Sequence, residues 1–216
     1  MIRRTLSILR GNSPAQPYMV AALLLLLIPS LTMATEEPKY TVAKKDGDIE
    51  IRLYEPFIVA ETVVDTTDLE EASNEGFRRL AGFIFGGNKV QRKIAMTSPV
   101  TTEQSQKIAM TAPVETERGA SSVRIAFTMP SEFTMEALPL PNDSRVTLRQ
   151  VPARKLAVIR FSGRWTEANF REHTGQLTAW IQKEGMKVTG APIIARYNPP
   201  FLPSFLRRNE VMIPVE

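Results

Sequence analysis

Two near-identical octapeptides, KIAMTSPV at 93–100 and KIAMTAPV at 107–114, stand fourteen residues apart and carry the most distinctive chemistry in the chain. In an extended run, Ile94, Met96, Ser98 and Val100 alternate onto one face, as do Ile108, Met110, Ala112 and Val114. A thioether is polarizable and adaptable, so two roles are open to Met96 and Met110: flexible core filler, or the wall of a ligand groove. Pro99 and Pro113 cannot donate to a β ladder, so each run lies at a sheet edge or ends at its proline. The remaining inventory excludes more than it suggests. The 216 residues include no cysteine and one histidine. That removes disulfides, zinc–thiolate and iron–sulfur sites, covalently attached c-type haem, thiol nucleophiles and His-rich metal centres. A serine–histidine–carboxylate triad would have to run through His173, which falls at the margin of a helical apolar stripe, where a structural role is expected. Glu50, Glu55, Glu61 and Glu75 show no spacing that demands acid–base catalysis.

Charge argues against a polyanion partner. The formal net charge is +4, but Arg3, Arg4 and Arg10 lie in the first 34 residues without any acid, and the remainder holds 24 basic against 23 acidic residues. Pairs such as Arg78-Arg79 and Arg207-Arg208 do not make the basic stripe that nucleic-acid binding needs. The N-terminus reads as an address. A basic start, MIRRTLSILR, precedes the apolar MVAALLLLLI (Met19–Ile28) and a small-residue exit at Thr32-Met33-Ala34, the three parts of a secretory signal. The uncharged stretch Tyr18–Ala34, interrupted by Pro29, also reads as an uncleaved anchor at the lower limit of a spanning helix. Residues 1–34 are therefore expected to be a signal peptide or membrane anchor. Either places residues 35–216 on the non-cytoplasmic side, exported, periplasmic or membrane-anchored.

The elements that must position these side chains follow a repeated order. Asp46-Gly47 predicts a hairpin, followed by the alternating strand Ile49–Tyr54 and, beyond Pro56, a β-branched run from Phe57 to Val64. Thr67-Asp68-Leu69-Glu70 fits a capping box opened by Thr67. The helix it starts carries Leu69, Ala72, Gly76, Leu80 and Phe83 on one face and ends at Gly86-Gly87-Asn88. IRLYEPFIVAETVV (51–64) then lies over LRQVPARKLAVIRF (148–161) at a constant offset of 97. A second helix follows, opened by Thr166-Glu167 and closed by Gly185, with Phe170, Leu177 and Ile181 buried. Two more strands complete each half, at 107–115 and 122–129, then at 188–197 and 210–215. The fold expected is α+β: a duplicated β-α-β-β unit whose antiparallel sheet, a distorted barrel, carries two helices on one face.

Several segments together resemble the SOUL haem-binding protein family: NEGFRRLAGFIFGGN (74–88), the two MT-P-V octapeptides, VPARKLAVIRFSGRW (151–165) and RYNPPFLPSFLRRNEV (196–211). The resemblance spans residues 40–215. It implies a SOUL-like, non-enzymatic domain that holds haem or another tetrapyrrole reversibly and non-covalently in an apolar groove beside the first helix. A flat macrocycle with two propionates wants an apolar wall and a cation or two at its rim. On that basis Arg78 and Arg79 are candidates for the propionates, and Phe83, Met96 and Met110 for the ring. The family's mixture of basic and methionine side chains on this helix is only half present, since no Met lies between Asp68 and Phe85. No metal-ligating residue is assigned. Trp165 reads as a packing aromatic, and Arg207, Arg208 and Glu210 as an ion pair that closes a strand and pins the Asn198-Pro199-Pro200 loop. Two alternatives differ in kind. One is a binder of other flat hydrophobic molecules, or an interaction module without cofactor. The other is a small-molecule hydrolase that uses a pocket glutamate.

Overall fold

A computed structural model describes residues 36–90 and 105–216. Residues 1–35 and 91–104, and with them the N-terminal segment, the KIAMTSPV octapeptide and Met96, lie outside the described residues. The strands are β1 (Tyr40–Asp46), β2 (Ile49–Tyr54), β3 (Phe57–Val64), β4 (Asn88–Lys89), β5 (Val114–Arg118), β6 (Val123–Thr128), β7 (Leu140–Pro141), β8 (Val146–Val151), β9 (Arg154–Phe161), β10 (Ile193–Arg196) and β11 (Asn209–Pro214). Helix α1 spans Leu69–Ile84 and α2 spans Glu167–Lys183. Nine strands form one antiparallel sheet in the order β1-β2-β9-β11-β10-β5-β6-β3-β8, with β4 and β7 paired separately. Its edges, β1 and β8, do not meet, so the sheet curls into an open half-barrel.

The order exposes the duplication. Either side of the β10–β5 junction the strands mirror each other: β11 with β6, β9 with β3, β2 with β8. The offset of 97 carries β2 onto β8 and β3 onto β9, residue for residue. The halves also exchange strands, because β2 pairs with β9 of the second half and β8 with β3 of the first.

Register decides which face the helices cover. Val211 lies opposite Ile194, Ile194 opposite Thr116 and Thr116 opposite Ile125, so these four side chains share one face. Ile125 packs in the cluster beneath α1 with Ala72, Leu80 and Phe83, and Val211 in the cluster beneath α2 with Phe170, Leu177 and Ile181. Both helices therefore lie on the same face, one toward each end, as expected. The central strands β10 and β5 are left between them. Gly76 marks how close α1 comes: a Cβ there would sit 2.5 Å from Ile125 Cγ1. We expect Gly76→Ala to destabilise the domain by about 1–3 kcal/mol through overpacking, read as a lower urea midpoint.

Two local expectations are corrected. Helix α1 is capped by Asp68, not Thr67: Asp68 Oδ1 accepts from the Glu70 and Glu71 amides at 2.8 and 2.9 Å. A carboxylate one residue later answers the helix dipole as well as the free amides, and it wins. The 107–115 strand begins only at Val114. Residues 105–113 are pinned singly instead, with the Ile108 amide donating to Ile84 O and the Ala112 amide to Glu36 O. The far end of α1 closes as its Gly-Gly pair suggests. Gly86 takes φ of 115°, its amide donates to Phe83 O, and the Gly87 amide donates to Gly82 O at 2.8 Å.

Candidate functional site

The bare strands form the floor of a cleft of about 980 Å³ between the N-terminal ends of the two helices. That volume is at the upper end of small-molecule sites, roughly 300–1,000 Å³. On α1 the buried stripe Ala72–Gly76–Leu80 turns the neighbouring ridge toward the opening, so Leu69, Ser73 and Phe77 line it at i, i+4 and i+8. Phe77 also meets Phe127 edge-on, with ring centroids 5.4 Å apart. Strand alternation delivers Val114 and Thr116 from β5, and Ile194 and Arg196 from β10. The α2 side supplies Trp165 just before the Thr166 cap, and Phe170 one turn in.

Arg196 is the unusual member. It stands on the helix-covered face in phase with Ile194, half-buried, and its Nη2 donates to Ser73 Oγ at 2.8 Å and Thr116 Oγ1 at 3.3 Å. Among the described residues no carboxylate pairs with it. Loss of hydration lowers its pKa to about 10, so it remains a cation at neutral pH. The Trp165 ring lies 5.3 Å from the Arg196 guanidinium and 4.5 Å from that of Arg207, and its Nε1 donates to Asn209 Oδ1 at 2.8 Å. The acids at the rim do not neutralise this pair. Asp68 is committed to its cap, Glu167 is bonded to Arg118 and Arg171 at 3.3 and 3.2 Å, and Glu70, the third acid of the lining, bonds neither Arg196 nor Arg207. Two helix N-termini facing the cleft add to its positive potential. An apolar wall around an under-neutralised planar cation suits a flat ligand that carries a carboxylate.

The residues singled out in the sequence sit elsewhere. Arg78 is 77% exposed and ion-paired to Glu75. Arg79 bonds Glu75 at 2.7 Å, Thr62 Oγ1 at 3.2 Å and Val63 O at 3.0 Å, lashing α1 to β3. Phe83 is buried in the core under α1, and Met110 is 46% exposed. None of these four lines the cleft, and Met96 lies outside the described residues. Ile108 is buried while Met110 is not, so the alternation across that octapeptide does not hold once the segment is not a strand. Trp165, read as packing, walls the cleft. His173 stacks on Phe161 at 3.8 Å and bonds Asn169 O through Nδ1, a structural position away from the cleft. The signal for Arg196 was present: an arginine in the apolar phase of a short strand, within the RYNPP segment.

The opposite face of the sheet holds a second polar assembly. Glu210, fully buried, accepts from Arg52 Nη1 and Nη2 at 2.8 and 3.1 Å, from Tyr197 Oη at 2.7 Å and from Arg208 Nε at 3.0 Å. Burial alone would lower the Arg52 pKa, but the bonds and charge of Glu210 outweigh it and raise it. Burial pushes Tyr54 up to about 12. The glutamates considered for hydrolysis are not in the cleft either. Glu61 bonds Arg149 at 2.7 and 2.9 Å, Glu50 bonds Arg52 and Lys45, and Glu75 takes both helix arginines. Among the described residues no cluster of His, Asp and Glu is placed to hold a metal ion.

A pseudo-symmetric pair of β-α-β-β units with a ligand-sized cleft at their junction defines a class of binding domain. Solved structures share the fold: the C-terminal domain of EcmrR, with a TM-score of 0.58 at 12% identity over 82% of this chain and 98% of that one, and a hydrolase from Listeria innocua, with 0.54 at 14% over 81% and 94%. At such identities the likeness is of fold alone. Within this class, the chain belongs to the SOUL heme-binding protein family, whose profile matches residues 35–214. It is 28% identical to heme-binding protein 1 of Xenopus laevis over 169 residues, 78% of this chain and 84% of that protein. It is likewise 28% identical to heme-binding protein 2 of Mus musculus over 186 residues, 85% and 86% of the two chains.

Proposed function

We propose that this chain binds haem or a close tetrapyrrole non-covalently in the cleft between α1 and α2, as a carrier, buffer or sensor rather than an enzyme. The observation that carries the reading is Arg196, a dehydrated cation without a carboxylate partner among the described residues, set in an apolar-walled cavity of about 980 Å³. Arg196 would hold a propionate, with Arg207 beside it. Leu69, Phe77, Val114, Ile194 and Trp165 would meet the macrocycle. Haem supplies redox-active iron when bound. Among the described residues that line the cleft there is no His, Met or Tyr to ligate that iron, and the reading rests recognition on ring shape and carboxylate.

The test is a paired titration with haemin and metal-free protoporphyrin IX, followed by the Soret band and by tryptophan quenching. Both are expected to bind with affinities within about threefold of each other, and His173→Ala is expected to keep both. Preference for haemin above roughly tenfold would show that iron is ligated and that the site lies elsewhere. Failure of both ligands to bind would overturn the proposal.

A further inference from the structure

The loop Tyr197–Arg208 between β10 and β11 turns its apolar side chains outward although its own bonding is satisfied inward. Phe201 is 86% exposed, Phe205 73%, and Leu206 is exposed as well. The loop's backbone is nonetheless well bonded. Arg207 donates to Leu202 O at 2.8 Å and to Pro200 O at 2.6 Å. The Leu202 and Leu206 amides close turns onto Pro199 O and Pro203 O, and the Gly163 amide donates to Ser204 O at 3.0 Å. A single helical turn, Ser204–Leu206, completes it. Flexibility therefore does not account for the exposure: a stapled scaffold holds two aromatic rings and a leucine in solvent, against the usual sorting of such groups.

Two further observations name the occupant. The loop holds no acid from Tyr197 to Asn209, and exposed Arg160 and Arg164 flank it on the strand end and turn that precede α2. Apolar tips bordered by cations match the boundary between anionic headgroups and acyl chains. The start of the described chain is tied to the same place, since Arg208 Nη1 donates to Glu37 Oε1 at 2.8 Å. Only two residues, Thr35 and Glu36, separate Glu37 from the end of the apolar stretch Tyr18–Ala34 in the sequence, three peptide steps that span at most ~10 Å when extended.

We infer that Phe201, Phe205 and Leu206 form a membrane-docking tip that seats in an anionic bilayer surface, on the side of the domain where Arg208 holds Glu37. Pro200, Ser204 and Arg207 of the same loop line the cleft, so docking sets the cleft rim close to the bilayer, from which a hydrophobic ligand can enter or leave.

The chain has no cysteine, so a fluorophore on Phe205→Cys is a unique reporter, and Ser121→Cys is its control. Ser121 is exposed in the β5–β6 turn. The pairings Ile193 with Glu117 and Arg196 with Val114 put that turn at the other end of the strands from the loop. The full-length chain is added to vesicles of phosphatidylcholine and phosphatidylglycerol in equal parts, carrying brominated acyl chains. Emission at position 205 is expected to shift blue and to be quenched several-fold more than at 121. Adding Phe201→Asp and Leu206→Asp should abolish the quenching at 205 without changing the far-UV circular dichroism. Equal quenching at both positions, or none at 205, would overturn the inference. So would a blue shift at 205 that appears without lipid and grows with protein concentration, which would mark a second copy as the occupant.

Discussion

Arg196→Met is expected to weaken haemin binding by about 10–100-fold while leaving the unfolding midpoint unchanged or slightly higher. The affinity estimate follows from losing a charge-assisted bond to a carboxylate in a partly dehydrated site, about 1.5–3 kcal/mol. The stability estimate follows from what Arg196 lacks. It donates to two hydroxyls, those of Ser73 and Thr116, and no carboxylate among the described residues repays the hydration its guanidinium has lost. Methionine keeps most of the stem and its contact with Trp165, while Ser73 retains its own bond to Leu69 O. A residue kept for folding would show the reverse, a lower midpoint with binding intact, and that result would remove the cleft from consideration. Arg196→Lys separates charge from shape: lysine restores the cation but not the planar stacking over Trp165, so intermediate affinity is expected.

Glu210→Ala should have the largest effect on stability, a loss of about 3–5 kcal/mol, seen as a marked fall in urea midpoint. The carboxylate is fully buried and is the shared acceptor for Arg52, Arg208 and Tyr197. Removing it strands the Arg52 guanidinium, itself buried, without its principal counter-ion. Arg52→Met should cost less, since Glu210 keeps Arg208 and Tyr197. Haemin affinity of the folded fraction should be unchanged in both variants, because Glu210 alternates with Asn209 and faces away from the cleft. A parallel drop in affinity would mean that the two faces of the sheet are coupled.

These contrasts show what was legible in the chain and why. The strand pairs β2–β3 and β8–β9 could be read because each carries its own alternation and proline break, and the constant offset made each a check on the other. The end of α1 was equally local, written in Gly86-Gly87. The start of α1 was one residue off because Thr67 and Asp68 are both competent caps, and only the observed bonds choose between them. Arg78 and Arg79 were visible as charges, but what occupies them is Glu75, one turn earlier, which takes both. The cleft was not visible because its wall comes from residues 67–77, 114–116 and 164–207, brought together by register across β10 and β5. Local periodicity says nothing about which strands become neighbours. KIAMTAPV misled for a related reason: alternation is necessary for a strand, but residues 107–113 find single backbone acceptors in place of a neighbouring strand, and the alternation remains only a pattern.

The reciprocal loan of β2 and β8 has a consequence for how such a molecule can be divided. A fragment ending before β8 would leave β3 with an open flank and β2 with β1 alone beside it, and the complementary fragment would suffer the converse. Neither is a self-sufficient unit. Two complementary fragments made separately would have to assemble to recover a continuous sheet. A lone fragment could complete its ladder only with its twin, each lending the other a strand. The ancestor of a chain so constructed is therefore more naturally pictured as a symmetric pair of short polypeptides, later joined end to end, than as a small monomer that doubled.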